Sequence, residues 1–585
     1  MDPNHITYFG ETDARNKKIK FGIKAKDRLK HVYVIGKTGM GKSTILENMA
    51  IQDIQNGNSI AFVDPHGGTA EKLLEYVPEH RIKDVVYFAP FDIDYPISFN
   101  VMEDIGAEKR HLVVSGLMSA FMKLFGEESF SDRMEYILQN TILALLEYPG
   151  ATMLGINKML VDKEYRNKVI ANISDPSVKT YWTKEYAGYT ERFAAEAIPA
   201  IQNKIGQFTS NPLIRNIIGQ EKSSFDFRDI MDKGKIMIIN LSKGRVGESN
   251  ANLIGSMLIT KIYLAAMSRA DNNEQELAKL PNFYLYVDEF QSFANKSFAD
   301  ILSEARKYKL NLTIAHQYIE QMEEEVRDAV FGNVGTMVTF RVGAFDAEVL
   351  EKEFAPTFEA ADLVNLGIYQ IYLKLMIDGV SSQPFSAKGM APIARPEINF
   401  KEAVIKSSRE QFAKPRSLVE KSIIDWHDDG AIRVKPSHAP QINQIHQVNT
   451  GQFQREPWHD AHRARSEPPI QPSFSSKFRL GDTSYKAEAL TVEKKQAFMK
   501  AAEILRHHPS PPPLHKTTDG QGNTISLSTL KPSEEKKNPT KENISSLKDA
   551  LSRVIHKPEV KNNPSHPNEV PEDVLRNLLK MDDTK

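Results

Sequence analysis

His31-Val32-Tyr33-Val34-Ile35-Gly36-Lys37-Thr38-Gly39-Met40-Gly41-Lys42-Ser43-Thr44 passes from a short apolar, β-branched run into a glycine-rich loop. A helical segment follows from Thr44 to Asn56 and stops at Gly57. Gly36, Gly41, Lys42 and Ser43 fit the spacing GxxxxGK[ST]. The chemistry behind that spacing is specific. Glycines let the backbone wrap a phosphate, and consecutive N–H groups at a helix N-terminus attract the anion. Lys42 reaches β- and γ-phosphates in such a loop, and Ser43 holds Mg²⁺. The stretch Gly36, Lys37, Thr38, Gly39, Met40, Gly41, Lys42, Ser43, Thr44 is therefore the candidate nucleotide-binding loop. The competing reading is a glycine-rich turn in an ordinary βα unit.

Working outward, Ser59–Asp64 and Asp84–Pro90 read as further buried strands, alternating with helical patterns. That alternation predicts a mostly parallel sheet covered on both faces. Ligands of such sheets sit beyond the carboxyl ends of the strands. Asp64 and His66 lie at one such end, where turn chemistry explains them equally well. Upstream, Phe21-Gly22-Ile23-Lys24-Ala25 reads as a lead-in edge strand.

From 104 to 230 the spacing turns helical. Met134, Ile137, Leu138, Thr141, Ile142 and Leu145 share one helix face. Pro149-Gly150, Asp175-Pro176 and Asn211-Pro212 punctuate the region. An all-helical insertion is expected here. Its basic residues Arg192, Lys204, Arg215 and Arg228 could line a DNA channel, or simply coat solvated helix faces.

The sheet pattern resumes at Lys235–Gly244 and again at Phe283-Tyr284-Leu285-Tyr286-Val287-Asp288-Glu289. An apolar strand ending in Asp-Glu is what a phosphate loop needs downstream. Asp288 accepts from the Mg²⁺ shell and Glu289 polarises the attacking water. Alone, the pair would read as a helix start. The segment Asp300–Gln317 reads as helix, tight turn and strand. Gln317 ends a strand beside the Asp288-Glu289 strand, where it can sense a γ-phosphate. Arg306 is a candidate charge-stabilising finger from a neighbouring subunit, or an ordinary helix-face arginine. Asn157-Lys158-Met159-Leu160 lacks the Asp of the guanine-reading NKxD pattern. Strands Thr336–Val342 and Tyr369–Ile377 follow, the second turning at Asp378-Gly379 into Gln383-Pro384-Phe385.

The chain has 585 residues, 41% of them hydrophobic, and a formal net charge of −1. Two or three domains are expected at this length. With charge balanced, any DNA contact must come from a local surface. The absence of cysteine excludes disulfides, thiol catalysis and thiolate zinc sites. No signal pattern opens the chain, and no stretch approaches 18 uncharged apolar residues, so no transmembrane segment is expected. Past residue 393 periodicity fades, and Pro, Ser, Asn, Gln and His dominate 430–540. A mostly disordered tail is expected, with helical patches at Ala487–Leu505, Ile544–Ile555 and Val574–Leu579 that suit docking on partner proteins.

From Gly36 to Phe385 the sequence resembles the HerA/FtsK motor ATPases, and within them the TraG/TraD-type conjugative DNA-transfer (type IV secretion coupling) ATPases. The resemblance is carried by His31–Thr44, Asp64-Pro65-His66-Gly67, Asn240-Leu241-Ser242-Lys243-Gly244 and Tyr284–Gln291. Ser303–Tyr308, Ala315-His316-Gln317, Phe331–Gly335 and Thr339–Gly343 add to it. It implies an α/β, RecA-like P-loop ATPase domain in a hexameric ring, built from 31–103 and 231–392. The lead-in 1–30, the helical insertion 104–230 and the tail 393–585 complete the expected organisation. It implies ATP and Mg²⁺ as cofactors, with Lys42, Ser43, Asp288 and Glu289 acting in cis and Arg306 in trans. Gln317 would couple nucleotide state to DNA-facing loops, and Arg341 is a second arginine candidate. DNA, further copies of the chain and secretion-machinery proteins are the implied partners. The implied location is cytoplasmic, or peripheral at the inner membrane face through a partner. A protein-moving secretion ATPase, a soluble HerA-like motor and a nucleotide-gated scaffold are the alternative functions.

Overall fold

The parallel strands of this chain are buried at nearly every position because both faces of the sheet are covered there. The computed structural model describes residues 2–13 and 17–428, except the side chains of 191–196 and 297. All of these lie in one unit, Met1–Ile445. The strands are β1 (Ile6–Glu11), β2 (Lys20–Lys24), β3 (Val32–Ile35), β4 (Ser59–Asp64), β5 (Val85–Phe88), β6 (Ile236–Asn240), β7 (Phe283–Val287), β8 (Leu310–His316), β9 (Thr336–Thr339) and β10 (Gln370–Lys374). A short hairpin, β11 (Met376–Ile377) and β12 (Val380–Ser381), and finally β13 (Phe385–Gly389) follow. Eleven of them form one sheet in the order β2-β1-β13-β10-β9-β3-β8-β7-β4-β6-β5. The seven from β9 to β5 run parallel, and the other four add antiparallel. The fold is the expected RecA-like α/β domain.

Alternate residues of each strand point to opposite faces. Tyr33, Ile35, Ala61, Val63, Met237 and Ile239 feed a core that runs on into the helical insertion. Val32, Val34, Ile60, Phe62, Ile236 and Ile238 feed a second core with the helix α1 (Lys42–Gln55). Helix α1 ends where expected, because Gly57 adopts φ 80°.

The lead-in is part of the sheet. Strand β1 pairs with β13 and β2, and β2 is the sheet's outer edge. The Asp378-Gly379 turn forms as read, with both residues at positive φ. Its strands are β11 and β12, and β13 then returns against β10.

The helical insertion emerges between β5 and β6. Its outgoing and returning segments are bonded to each other: Ser224 N donates to Ser98 O at 3.1 Å, and Asn100 Nδ2 donates to Ala151 O and Glu221 O at 2.8 Å each. Among the described residues one helix, Glu248–Asp271, is long and apolar enough to cross a membrane, which the sequence reading did not anticipate. Its most apolar window is 67% buried inside the fold. Gly116 of the helix Arg110–Phe125 packs closely on its Thr260.

The boundary expected at 393 is corrected. Helices Lys401–Phe412 and Arg416–Asp428 pack on the domain. The first covers the β5 edge, where Tyr87 N donates to Ser408 Oγ at 2.9 Å and Arg409 grips Asp92 through two bonds. Covering an edge strand blocks pairing with another chain. The second reaches the insertion: Val419 and Ile423 pack on Leu154, and Trp426 stands edge-on to Tyr165. Apolar spacing was there to be read at Val419, Ile423 and Trp426, three to four residues apart. The three helical patches of the tail lie outside the described residues.

Candidate nucleotide-binding and hydrolysis site

The phosphate loop links β3 to α1 at the carboxyl end of the sheet. Two close approaches require its glycines. A Cβ on Gly36 would stand 2.5 Å from the Phe340 Cβ, and one on Gly41 would stand 3.0 Å from the Tyr369 ring. Lys37, Thr38 and Gly39 are exposed at the crest. Lys42 is only 5% exposed, and its ammonium donates back to Gly36 O at 2.7 Å and Lys37 O at 3.3 Å. Burial pulls its pKa down, while Glu289 and Asp288 push it up. It is a cation held under the loop by carbonyls that an incoming phosphate oxygen would replace.

Asp288 and Glu289 follow β7, which is separated from β3 in the sheet by β8 alone. Ser43 Oγ donates to Asp288 Oδ2 at 2.8 Å. Burial raises the Asp288 pKa, and the Ser43 hydroxyl partly offsets that rise. Glu289 sits in the left-handed region at φ 47°, ψ 50°, a conformation that costs a non-glycine residue of order 1–3 kcal/mol. Its carboxylate is held on both oxygens. Gln291 Nε2 donates to Oε2 at 2.6 Å, and Gln317 Nε2 donates to Oε1.

Gln317 follows β8, between the two motifs. Its Oε1 accepts from the Thr38 hydroxyl at 3.1 Å. One amide thus bridges the phosphate loop and the carboxylate expected to orient water. His316 O accepts from Gly36 N at 3.3 Å, which ties the same strand end to the loop. Two of these partners escaped the sequence reading. Gln291 lies two residues past Glu289 with only its polarity to mark it, and the Thr38–Gln317 contact joins positions 279 residues apart.

The other candidates divide. Asp64 spends its oxygens on the backbone N–H groups of His66 and Ala70, both at 2.8 Å, so turn chemistry accounts for it, and His66 is exposed. Arg306 is exposed in the turn before β8, at the opposite end of the sheet from the loop. The seven residues of β8 put about 23 Å between those ends. Arg341 follows β9, and its carbonyl accepts from Lys37 N at 2.9 Å, so its backbone lies against the loop. In the insertion, Lys204 donates to Ser129 Oγ and lies over the Phe125 and Phe130 rings. Arg228 pairs with Asp232 and Ser268. Arg215 is half-buried, and the Arg192 side chain lies outside the description.

Among the described residues no group of three or more His, Asp or Glu is placed to hold a metal ion. Ser43 and Asp288 fit Mg²⁺ of the kind that takes one carboxylate, a hydroxyl and phosphate oxygens.

Loop, acidic pair and bridging glutamine on adjacent parallel strands define a RecA-like P-loop domain. A family model for conjugative DNA transfer in the type IV secretory system matches residues 3–334, and the chain belongs to that family. Solved structures similar to it include the bacterial conjugative coupling protein TrwBdeltaN70 in an unbound form, at 14% identity over 63% of this chain and 86% of that one, TM-score 0.46. The plasmid coupling protein TrwB in complex with ADP and Mg²⁺ is similar at 13% identity over 67% and 97%, TM-score 0.48. VirB4 of Thermoanaerobacter pseudethanolicus is similar at 13% identity over 69% and 99%, TM-score 0.41. No curated protein sequence matches the chain.

Proposed function

We propose that the chain is an ATP-driven, DNA-translocating motor of a conjugation-like or type IV secretion-like system, hydrolysing ATP at the subunit interfaces of a ring. The bridge from Thr38 through Gln317 to Glu289 carries this reading. It couples the loop that senses phosphate to the carboxylate that would orient water, so loss of the γ-phosphate changes both at once. In this mechanism the loop N–H groups and Lys42 hold the phosphates. Glu289, fixed by Gln317 and Gln291, positions the attacking water and takes up its proton. Ser43 and Asp288 would hold Mg²⁺, whose charge would offset that of the phosphates.

The distance of Arg306 from its own loop supports its role as a finger for the neighbouring subunit. Arg341, beside the loop, is the candidate for a contact in cis. Homohexameric assembly, DNA as the moved substrate, machinery proteins docking on the tail, and a cytoplasmic or membrane-peripheral location belong to the same reading.

The test is ATP turnover at low salt with and without single- and double-stranded DNA. Stimulation by either form is expected, and no stimulation by both overturns the translocase. Mixing Lys42→Ala with Arg306→Ala subunits should restore part of the turnover, and no rescue at any ratio refutes the trans finger.

A further inference from the structure

A cavity of about 430 Å³ opens beside the first turn of α1, within the size range of small-molecule sites. Gly41 and Thr44 form its inner wall, Phe340, Ile368, Tyr369 and Met390 give it apolar surface, and charged residues, among them Glu11, Lys17 and Lys388, also line it. We propose that it is the nucleobase subsite of the nucleotide site, with the Tyr369 ring as its stacking platform. The proposal rests on the nucleotide reading above.

Three observations converge on Tyr369. It adopts φ 63°, which is a true outlier for an aromatic residue. Such a conformation persists only where its surroundings impose it. Here Gly389 N donates to Tyr369 O at 2.9 Å, and Gln370 closes a turn through Gly367, whose N–H donates to its Oε1 at 2.7 Å. The result is a ring that touches the loop at Gly41 yet is 55% exposed, beside Ile368 at 58%. Two adjacent large apolar side chains are thus held open over the cavity, a surface that suits a flat, apolar cover.

The position selects a base over other covers. Ser43 and Thr44 begin the helix whose N-terminus faces phosphate, so a nucleotide held by its phosphates extends its ribose and base along this side of the loop. The walls offer a ring face and aliphatic groups to the flat face of the base. Every base has such a face, and the larger purines offer more of it for stacking. Purine nucleotides should bind more tightly than pyrimidine nucleotides.

The experiment compares ATP with inorganic tripolyphosphate on the full chain by calorimetry. Tyr369→Ala should weaken ATP about ten-fold and leave tripolyphosphate unchanged, and Tyr369→Phe should bind both as the parent does. Ile368→Ser, at an exposed position, should show the same selective loss at smaller size and guards against misfolding of the first variant. Unchanged ATP affinity in both variants overturns the subsite. Equal loss of tripolyphosphate overturns it too, because the ring would then serve only to pack the loop. Lys42→Ala should weaken both ligands in the parent background; if it weakens neither, the nucleotide reading itself has failed.

Discussion

The two ends of the central strands are built in opposite ways. Below the sheet, Arg28 is 1% exposed and meets Asp53 through two bonds of 2.9 Å. Its guanidinium also donates to Tyr286 OH at 2.7 Å and lies 3.6 Å over the Tyr284 ring. Asn58 Nδ2 donates to Asp53 at 2.7 Å. The buried Arg28 and Asp53 there are paired with each other, although Arg28 Nε has no acceptor of its own. At the carboxyl end, Lys42 has only carbonyls of its own loop, Glu289 is held in a left-handed backbone, and one oxygen of Gln291 is buried without a partner. The same β7 serves both ends, through Tyr284 and Tyr286 below and Asp288-Glu289 above. One end is closed so that the other can stay open to a ligand.

Breaking the upper end should affect chemistry alone. Glu289→Gln preserves shape and should lower ATP turnover by at least about a hundred-fold with nucleotide affinity retained, read by phosphate release and calorimetry. Turnover near the parent's would remove Glu289 from the role of base.

Breaking the lower end should affect the fold. Asp53→Ala leaves Arg28 buried without its counter-charge and should cost about 3–5 kcal/mol in denaturant unfolding. A loss below about 1 kcal/mol would mean that water reaches the pair.

The smallest effect sharpens the contrast through pH. His31 immediately precedes β3, and its Nδ1 accepts from Leu312 N at 3.1 Å, so its Nε2 carries the hydrogen bonded to Leu302 O at 3.2 Å. The ring is neutral, and burial above all lowers its pKa to about 4. The unfolded chain binds a proton there below about pH 6.5, and the folded chain does not until about pH 4. Stability conferred above pH 6.5 is therefore lost as pH falls through that window, at about 1.4 kcal/mol per pH unit. His31→Gln should reduce the pH slope of unfolding free energy by that amount. An unchanged slope would show that His31 titrates normally.

The upper end was largely legible in the sequence because its chemistry fixes residue types at fixed spacing. Gly36 to Ser43 and Asp288-Glu289 announce themselves wherever they fall. The lower end was not, because Arg28, Asp53 and Tyr286 come from three separate segments, and any well-paired buried charge would serve there. Lys401–Asp428 was assigned to the tail because its two helices bury only four residues, one of them Ser408. Tyr369 gave no signal at all, since its meaning lies in a backbone angle and in the distant Gly41.

The neck of the insertion has a consequence for how such a chain changes over time. Ser98 and Ser224 are joined by hydrogen bonds across 126 residues of intervening helices. The two crossings are thereby closed on each other at the sheet, beside the core that the sheet and the insertion share. A change in helix length beyond Asn100 is therefore met first at this neck, before it reaches the pairing of β5 with β6.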